Sequence, residues 1–168
     1  MTEIAESNDP VTMLSTPIRL DYFFTAGISQ SKNLAGYAAG KFIGQKCPVC
    51  DMVYIPSRGS CPVDGVALEG EIELPNTGTV TTFCVVNVPF AGQSIEIPYI
   101  TAQILLDGAN IAFAGLVQEI PADEVRMGLR VEAVWVDEAD LGPTLGSVKY
   151  FRPTGEPDVP YEQFEEYL

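Results

Sequence analysis

Four residues with metal-ligand chemistry fall in one short stretch, KCPVCDMVYIPSRGSCPVDG, from Lys46 to Gly65. Cys47 and Cys50 form a Cys-x-x-Cys pair. Cys61 follows after ten intervening residues, and Asp64 stands where a second such pair would place its last cysteine. Each half reads Cys-Pro-Val-x and is followed by Asp51 or Gly65. Knuckles of this kind present two ligands at the tip of a tight turn, and two of them face to face enclose a tetrahedral ion. Three thiolates and one carboxylate suit zinc, and a closed shell of four protein ligands makes such an ion structural rather than catalytic. The residues leave two readings open: zinc held by Cys47, Cys50, Cys61 and Asp64, or a ribbon that keeps its shape by packing and holds no ion. A redox pair at Cys47 and Cys50 is a third reading, against which the third cysteine and the ribbon spacing argue.

Other chemistry is scarce. The 168-residue chain contains no histidine, so it has no imidazole base, no histidine ligand and no Ser-His or Cys-His nucleophilic pair. Its net charge is −14, from 23 acidic and 9 basic residues. A surface so acidic repels phosphate backbones, which makes a nucleic-acid-binding module the weaker alternative even though zinc ribbons and small barrels serve that purpose elsewhere. The hydrophobic fraction of 46% is enough to bury a core. No apolar run reaches the roughly 18 residues of a membrane helix, so no membrane partner is expected. Neither is a signal peptide apparent, and the few clustered cysteines fit a reducing, cytoplasmic setting.

The elements that must position the four ligands can be read along the chain. Residues 1–18 are polar and aperiodic, a flexible arm. Residues 19–43 comprise a short extended segment, RLDYFFT, and a helix from Ile28 to Lys41, with Ile28, Leu34, Ala35, Tyr37, Ala38 and Phe42 toward one side. Gly36 and Gly40 weaken that helix, so it needs a surface to dock on. Residues 44–70 are the zinc ribbon. Residues 71–153 carry five strand-like runs, with Asp107-Gly108 as a hairpin signal and PADEVRMG as a helical turn between the third and fourth. Five short strands in this arrangement fit an OB-fold, a small Greek-key barrel. Cys84 falls in the first of these strands, where a buried structural role is expected. Residues 154–168 form an acidic aromatic tail, with Tyr161, Phe164 and Tyr167 spaced to share one side of a helical turn. The expected class is mainly β: an N-terminal helix, a rubredoxin-like zinc ribbon, then a five-stranded OB-fold barrel.

A helix ending in GKFIGQKC, a knuckle pair around VYIPSRGSC and a barrel beginning GTVTTFCVV, in that order, resemble the thiolase-associated family of zinc ribbon plus OB-fold proteins. The likeness spans roughly Arg19 to Arg152. It implies a non-catalytic accessory subunit in a hetero-oligomer with a thiolase-like large subunit, one that performs thiolysis or retro-aldol carbon–carbon bond cleavage on acyl-CoA. In such a complex the large subunit supplies the catalytic cysteine and histidine. The small one is a scaffold and helps enclose the CoA thioester, the shared substrate, in a pathway degrading lipids, steroid side chains or aromatic acids. Lys41, Lys46 and Arg58 are the positive charges near the ribbon able to meet CoA phosphates. Asp64 departs from the family's four-cysteine pattern, and some members have lost the ribbon metal.

Overall fold

The structure, a computed structural model, describes residues 18–90 and 92–168 together with Met13 and Thr16, so the expected arm at 1–18 lies almost wholly outside the described residues. Residues 19–25 form no strand; they run irregular and exposed into α1 (Gly27–Ala38). The helix is shorter than its spacing predicts. Gly40 adopts a left-handed φ of +66°. Lys41 N–H then donates to the Gly36 carbonyl at 2.9 Å and Gly40 N–H to that of Tyr37 at 3.1 Å. These two bonds are a Schellman stop, and they turn the chain out of the helix. Phe42 therefore opens a strand instead of extending the helical face.

That strand, β1 (Phe42–Lys46), is central in a small antiparallel sheet of order β2-β1-β3, with β2 at Val53–Tyr54 and β3 at Glu69–Leu74. The surface on which α1 docks is the chain's own β1. A Cβ on Gly36 would lie 2.6 Å from Ile43 Cγ1, so the glycine that weakens the helix also lets it approach the strand. Asn33 of α1, Gln45 of β1 and Ser57 are polar and buried as well.

Five further strands close a barrel: β4 (Thr77–Val86), β5 (Tyr99–Leu106), β6 (Phe113–Val117), β7 (Arg130–Trp135) and β8 (Val148–Pro153), in the order β4-β5-β6-β8-β7. β4 closes the ring by pairing with β7, and β6 runs parallel to β8. This is the Greek-key order of an OB-fold. The expected hairpin at Asp107-Gly108 joins β5 to β6, and residues 121–128 between β6 and β7 form turns. Among the described residues no helix is long and apolar enough to cross a membrane.

Cys84 is exposed, against expectation. β4 pairs with β7 only through Thr77–Thr79 and carries a bulge between Val80 and Thr82. Past the bulge it overhangs the barrel, paired with β5 alone, and Thr82, Phe83 and Cys84 all face solvent. A bulge resets the in-out alternation on which the expectation rested.

Helix, ribbon and barrel meet at Phe42, which is fully buried. Its ring lies 6.2 Å from that of Tyr37 in α1, 5.8 Å from Phe113 in β6, 4.8 Å from Trp135 in β7 and 6.3 Å from Phe151 in β8. Asn110, beyond β5, makes a second link. Its side-chain oxygen accepts from Val53 N–H at 2.7 Å, and its own N–H donates to the Val53 carbonyl at 2.9 Å. The aromatic tail packs on the barrel. Val159 N–H donates to the Gly128 carbonyl at 2.9 Å, Arg126 grips Asp158 through two bonds of 2.5 and 2.8 Å, and Phe164 is buried.

Phe42→Ala removes one side of four ring contacts and leaves a cavity where three elements meet. It is expected to lower unfolding free energy by about 3–5 kcal/mol in chemical denaturation. Phe42→Leu, which keeps most of the volume, is expected to cost less than half of that.

Candidate metal centre

The two knuckles are built alike. Cys47 N–H donates to the Met52 carbonyl at 2.9 Å and Cys61 N–H to that of Val66 at 2.8 Å; Asp51 N–H returns to the Cys47 carbonyl at 3.2 Å and Gly65 N–H to that of Cys61 at 2.9 Å. Both turns need a residue with positive φ after the second ligand, and Asp51 (62°) and Gly65 (68°) fill that place. Short polar or absent side chains tolerate this region best.

The ligand atoms of Cys47, Cys50, Cys61 and Asp64 all lie within 4.8 Å of one another. A tetrahedral ion with sulfur at about 2.3 Å holds two sulfurs about 3.8 Å apart, and a sulfur and a carboxylate oxygen about 3.5 Å apart. The Cys50 and Cys61 sulfurs are 3.7 Å apart, and the Asp64 Oδ2 lies 3.3 Å from Cys47 Sγ and 3.4 Å from Cys61 Sγ. The donor set and its spacing therefore fit a four-coordinate thiophilic ion.

Further groups face the sulfurs. Val49 N–H donates to Cys47 Sγ and Asp64 N–H to Cys61 Sγ, each at 3.4 Å. The Tyr54 hydroxyl lies 3.3 Å from Cys61 Sγ. The knuckle turns are legible in the Cys-Pro-Val repeat, whereas Tyr54 lies seven residues before Cys61 and carries no spacing signal.

Electrostatics divides the four ligands. Asp64 beside Cys50 pushes that thiol up to about 12. Burial pulls Cys61 upward too, but hydrogen bonds from the Tyr54 hydroxyl and the Asp64 backbone N–H outweigh it and leave the thiol below its ordinary value. The thiols of Cys50 and then Cys47 hold the Asp64 carboxyl below the usual range. One carboxylate is thus ionised among thiols that share protons with it.

Lys41, Lys46 and Arg58 do not gather into one cluster. Lys41 Nζ pairs with Glu73 at 2.8 Å and Lys46 Nζ with Asp51 at 2.7 Å, at opposite ends of β1. A strand of that length separates them by roughly 16 Å. Arg58 is exposed on the loop between β2 and the second knuckle.

The family model of the ChsH2 C-terminal OB-fold domain matches residues 71–136. The chain matches the ChsH2/DUF35 family. A DUF35 domain-containing scaffold protein of Methanocaldococcus jannaschii is 38% identical over 95 residues, a match spanning 55% of this chain and 66% of that relative. Two solved structures share the fold. The Ltp2–ChsH2(DUF35) aldolase is 21% identical with a TM-score of 0.56, the match covering 74% of this chain and 94% of that one. A DUF35 protein of unknown function from Sulfolobus solfataricus is 17% identical with a TM-score of 0.58, covering 76% and 84%. At these identities both likenesses speak for the fold alone.

A thiol at about 12 keeps its proton at neutral pH, so metal uptake must expel it. Apparent affinity should therefore climb with pH, about tenfold per unit for each proton released. Calorimetric titration with Zn²⁺ in buffers of different ionisation enthalpy is expected to count at least one proton lost per ion near pH 8. Uptake without proton release would contradict the coupling between Asp64 and Cys50.

Proposed function

We propose that the chain is the accessory subunit of a thiolase-like, aldolase-type acyl-CoA enzyme, and that one structural zinc on Cys47, Cys50, Cys61 and Asp64 holds its ribbon in shape. The observation that carries the reading is the match to DUF35 proteins, a scaffold protein and the Ltp2–ChsH2(DUF35) aldolase among them, beside this chain's own order of helix, ribbon and barrel. The chain's own chemistry agrees. It contains no histidine, and its clustered thiols sit around a carboxylate in a closed set that leaves no position for substrate.

In this reading the small subunit acts by position. The metal ties the two knuckles together, Phe42 and Asn110 fix the ribbon on the barrel, and the ribbon presents its surface to the large subunit. Lys41, Lys46 and Arg58 are the side chains offered to CoA phosphates at that boundary, the two lysines by exchanging an exposed carboxylate partner for a phosphate. The carbon–carbon bond chemistry, its base and its nucleophile belong to the large subunit. The nucleic-acid reading finds little support in a chain of net charge −14.

Two experiments test the proposal. The purified chain is expected to turn over no acyl-CoA by itself. Co-expressed with a thiolase-fold aldolase chain from the same genome it should form a stable complex that does, and mutation of the large subunit's nucleophile should abolish that turnover. Turnover by this chain alone, or failure to join any such chain, overturns the assignment. For the metal, Asp64→Cys supplies a fourth, softer ligand and should tighten zinc by tenfold or more in chelator competition. Cys61→Ser should release zinc while the barrel still unfolds cooperatively. Less than about 0.2 zinc per chain after chelator-free purification would mean that the ribbon is held by packing alone.

A further inference from the structure

Among the described residues, the largest run of exposed apolar side chains lies outside ribbon and barrel, from Ile18 to Ile28. Ile18, Leu20, Tyr22, Phe23, Phe24 and Ile28 are each between 64% and 105% exposed. Single exposed apolar residues are ordinary, but six within eleven positions are not. The three aromatic side chains offer roughly 450–750 Å² between them at 150–250 Å² apiece. With Ile18, Leu20 and Ile28 added, the segment approaches the roughly 800 Å² that each partner contributes to a stable interface.

Three features say what kind of surface covers it. First, Tyr22, Phe23 and Phe24 are consecutive, in chain without helix or strand, and all three are exposed. Three consecutive side chains do not all project to one side of the backbone, whether it runs as strand or as helix. A flat face or a membrane surface would cover one side and leave the other wet, whereas a groove covers both. Second, the charge is distributed unevenly. From Ile18 to Cys50 the chain has one acid, Asp21, and four bases, Arg19, Lys32, Lys41 and Lys46, although the whole chain stands at −14. Two copies approaching each other would meet the repulsion of the other residues, and a different partner need not. Third, the segment has a firm root. Lys32 Nζ pairs with Glu71 of β3 at 2.8 Å, Gly36 lets α1 settle on Ile43, and a Cβ on Gly59 of the ribbon loop would come within 3.2 Å of Ser29 Oγ in the helix's first turn.

We propose that residues 18–28 are a docking peptide that lies in an apolar groove of the catalytic subunit, rooted on the ribbon by α1. The proposal rests on the accessory-subunit reading and adds the surface through which it operates. Such linear segments bind through a few buried aromatic anchors, here Tyr22, Phe23 and Phe24, and the remaining contacts exclude water.

The test uses the full chain carrying Tyr22→Ser, Phe23→Ser and Phe24→Ser together. All three positions are exposed, so the melting temperature and metal content should match the parent. Binding is measured by calorimetry against the purified thiolase-fold aldolase chain with which the parent forms a complex. A loss of at least 100-fold in affinity, together with competition by a synthetic peptide of residues 18–28, supports the proposal. Equal binding by parent and variant overturns it and leaves the accessory-subunit reading standing. Absence of complex with the parent overturns both. Light scattering that finds the parent dimeric and the variant monomeric would assign the segment to a second copy instead. Flotation of the parent, but not the variant, with phosphatidylcholine–phosphatidylglycerol vesicles would assign it to a membrane. Either result overturns the proposal.

Discussion

The geometry of the molecule depends on one ring. Phe42 begins the strand that leads into the first knuckle, five residues before Cys47, and is buried among rings from α1, β6, β7 and β8. A ribbon this small has little core of its own; its buried apolar cluster consists of Cys47, Tyr54, Cys61 and Leu68. Through Phe42 it shares the barrel's core, and so its orientation is set by packing rather than by linker length. Asn110 adds a second point of attachment by holding the backbone of β2 at Val53. The same asparagine donates to the Tyr167 hydroxyl at 3.4 Å, which ties the tail into the joint.

How far the sequence discloses this depends on the range of the interaction concerned. Local regularities are legible. The Cys-Pro-Val repeat foretells two like knuckles, the β-branched runs foretell five strands, and Asp107-Gly108 foretells a hairpin. These signals live within a few residues of the atoms they arrange. The failures have non-local causes. Phe42 carries helical spacing from Tyr37 and Ala38, but Gly40 ends the helix, and the ring is claimed by strands more than seventy residues away. Cys84 sits in a strand as expected, yet its exposure follows from a bulge and from where β7 begins, at Arg130 opposite Thr79, and neither leaves a mark near the cysteine. Tyr54 beside Cys61 and Asn110 across β2 are unmarked for the same reason.

Arg130 shows how a non-local charge can do structural work in so acidic a chain. Its guanidinium, only 15% exposed as a side chain, makes bonds of 2.6 and 2.7 Å to Asp107, one of 3.1 Å to Thr79 and one of 3.2 Å to Glu156. The guanidinium beside Asp107 holds that carboxyl below the usual range. Hairpin, barrel wall and tail thus converge on one cation, whose planar fork can satisfy several acceptors at once where a lysine would satisfy them less well. Asp107 of the hairpin meets the guanidinium's two terminal nitrogens and Glu156 of the tail its Nε, so the cation stands between acids that would otherwise repel one another.

The metal centre and the docking segment are connected by the same logic of position. A partner that binds a loose peptide must first order it, and that ordering subtracts from affinity for every side chain immobilised. Here the segment's C-terminal end is already ordered, because Ser29 lies against Gly59 and Lys32 against Glu71. Gly59 belongs to the loop between β2 and the second knuckle, two residues before Cys61. In the proposed complex, an ion on the four ligands would hold that loop, the loop would seat the first turn of α1, and the helix would aim the aromatic segment. The ion would then contribute to assembly without touching the partner. With a carboxylate as the fourth ligand, the strength with which Asp64 closed the shell would decide how firmly the second knuckle, and with it the root of the segment, was held.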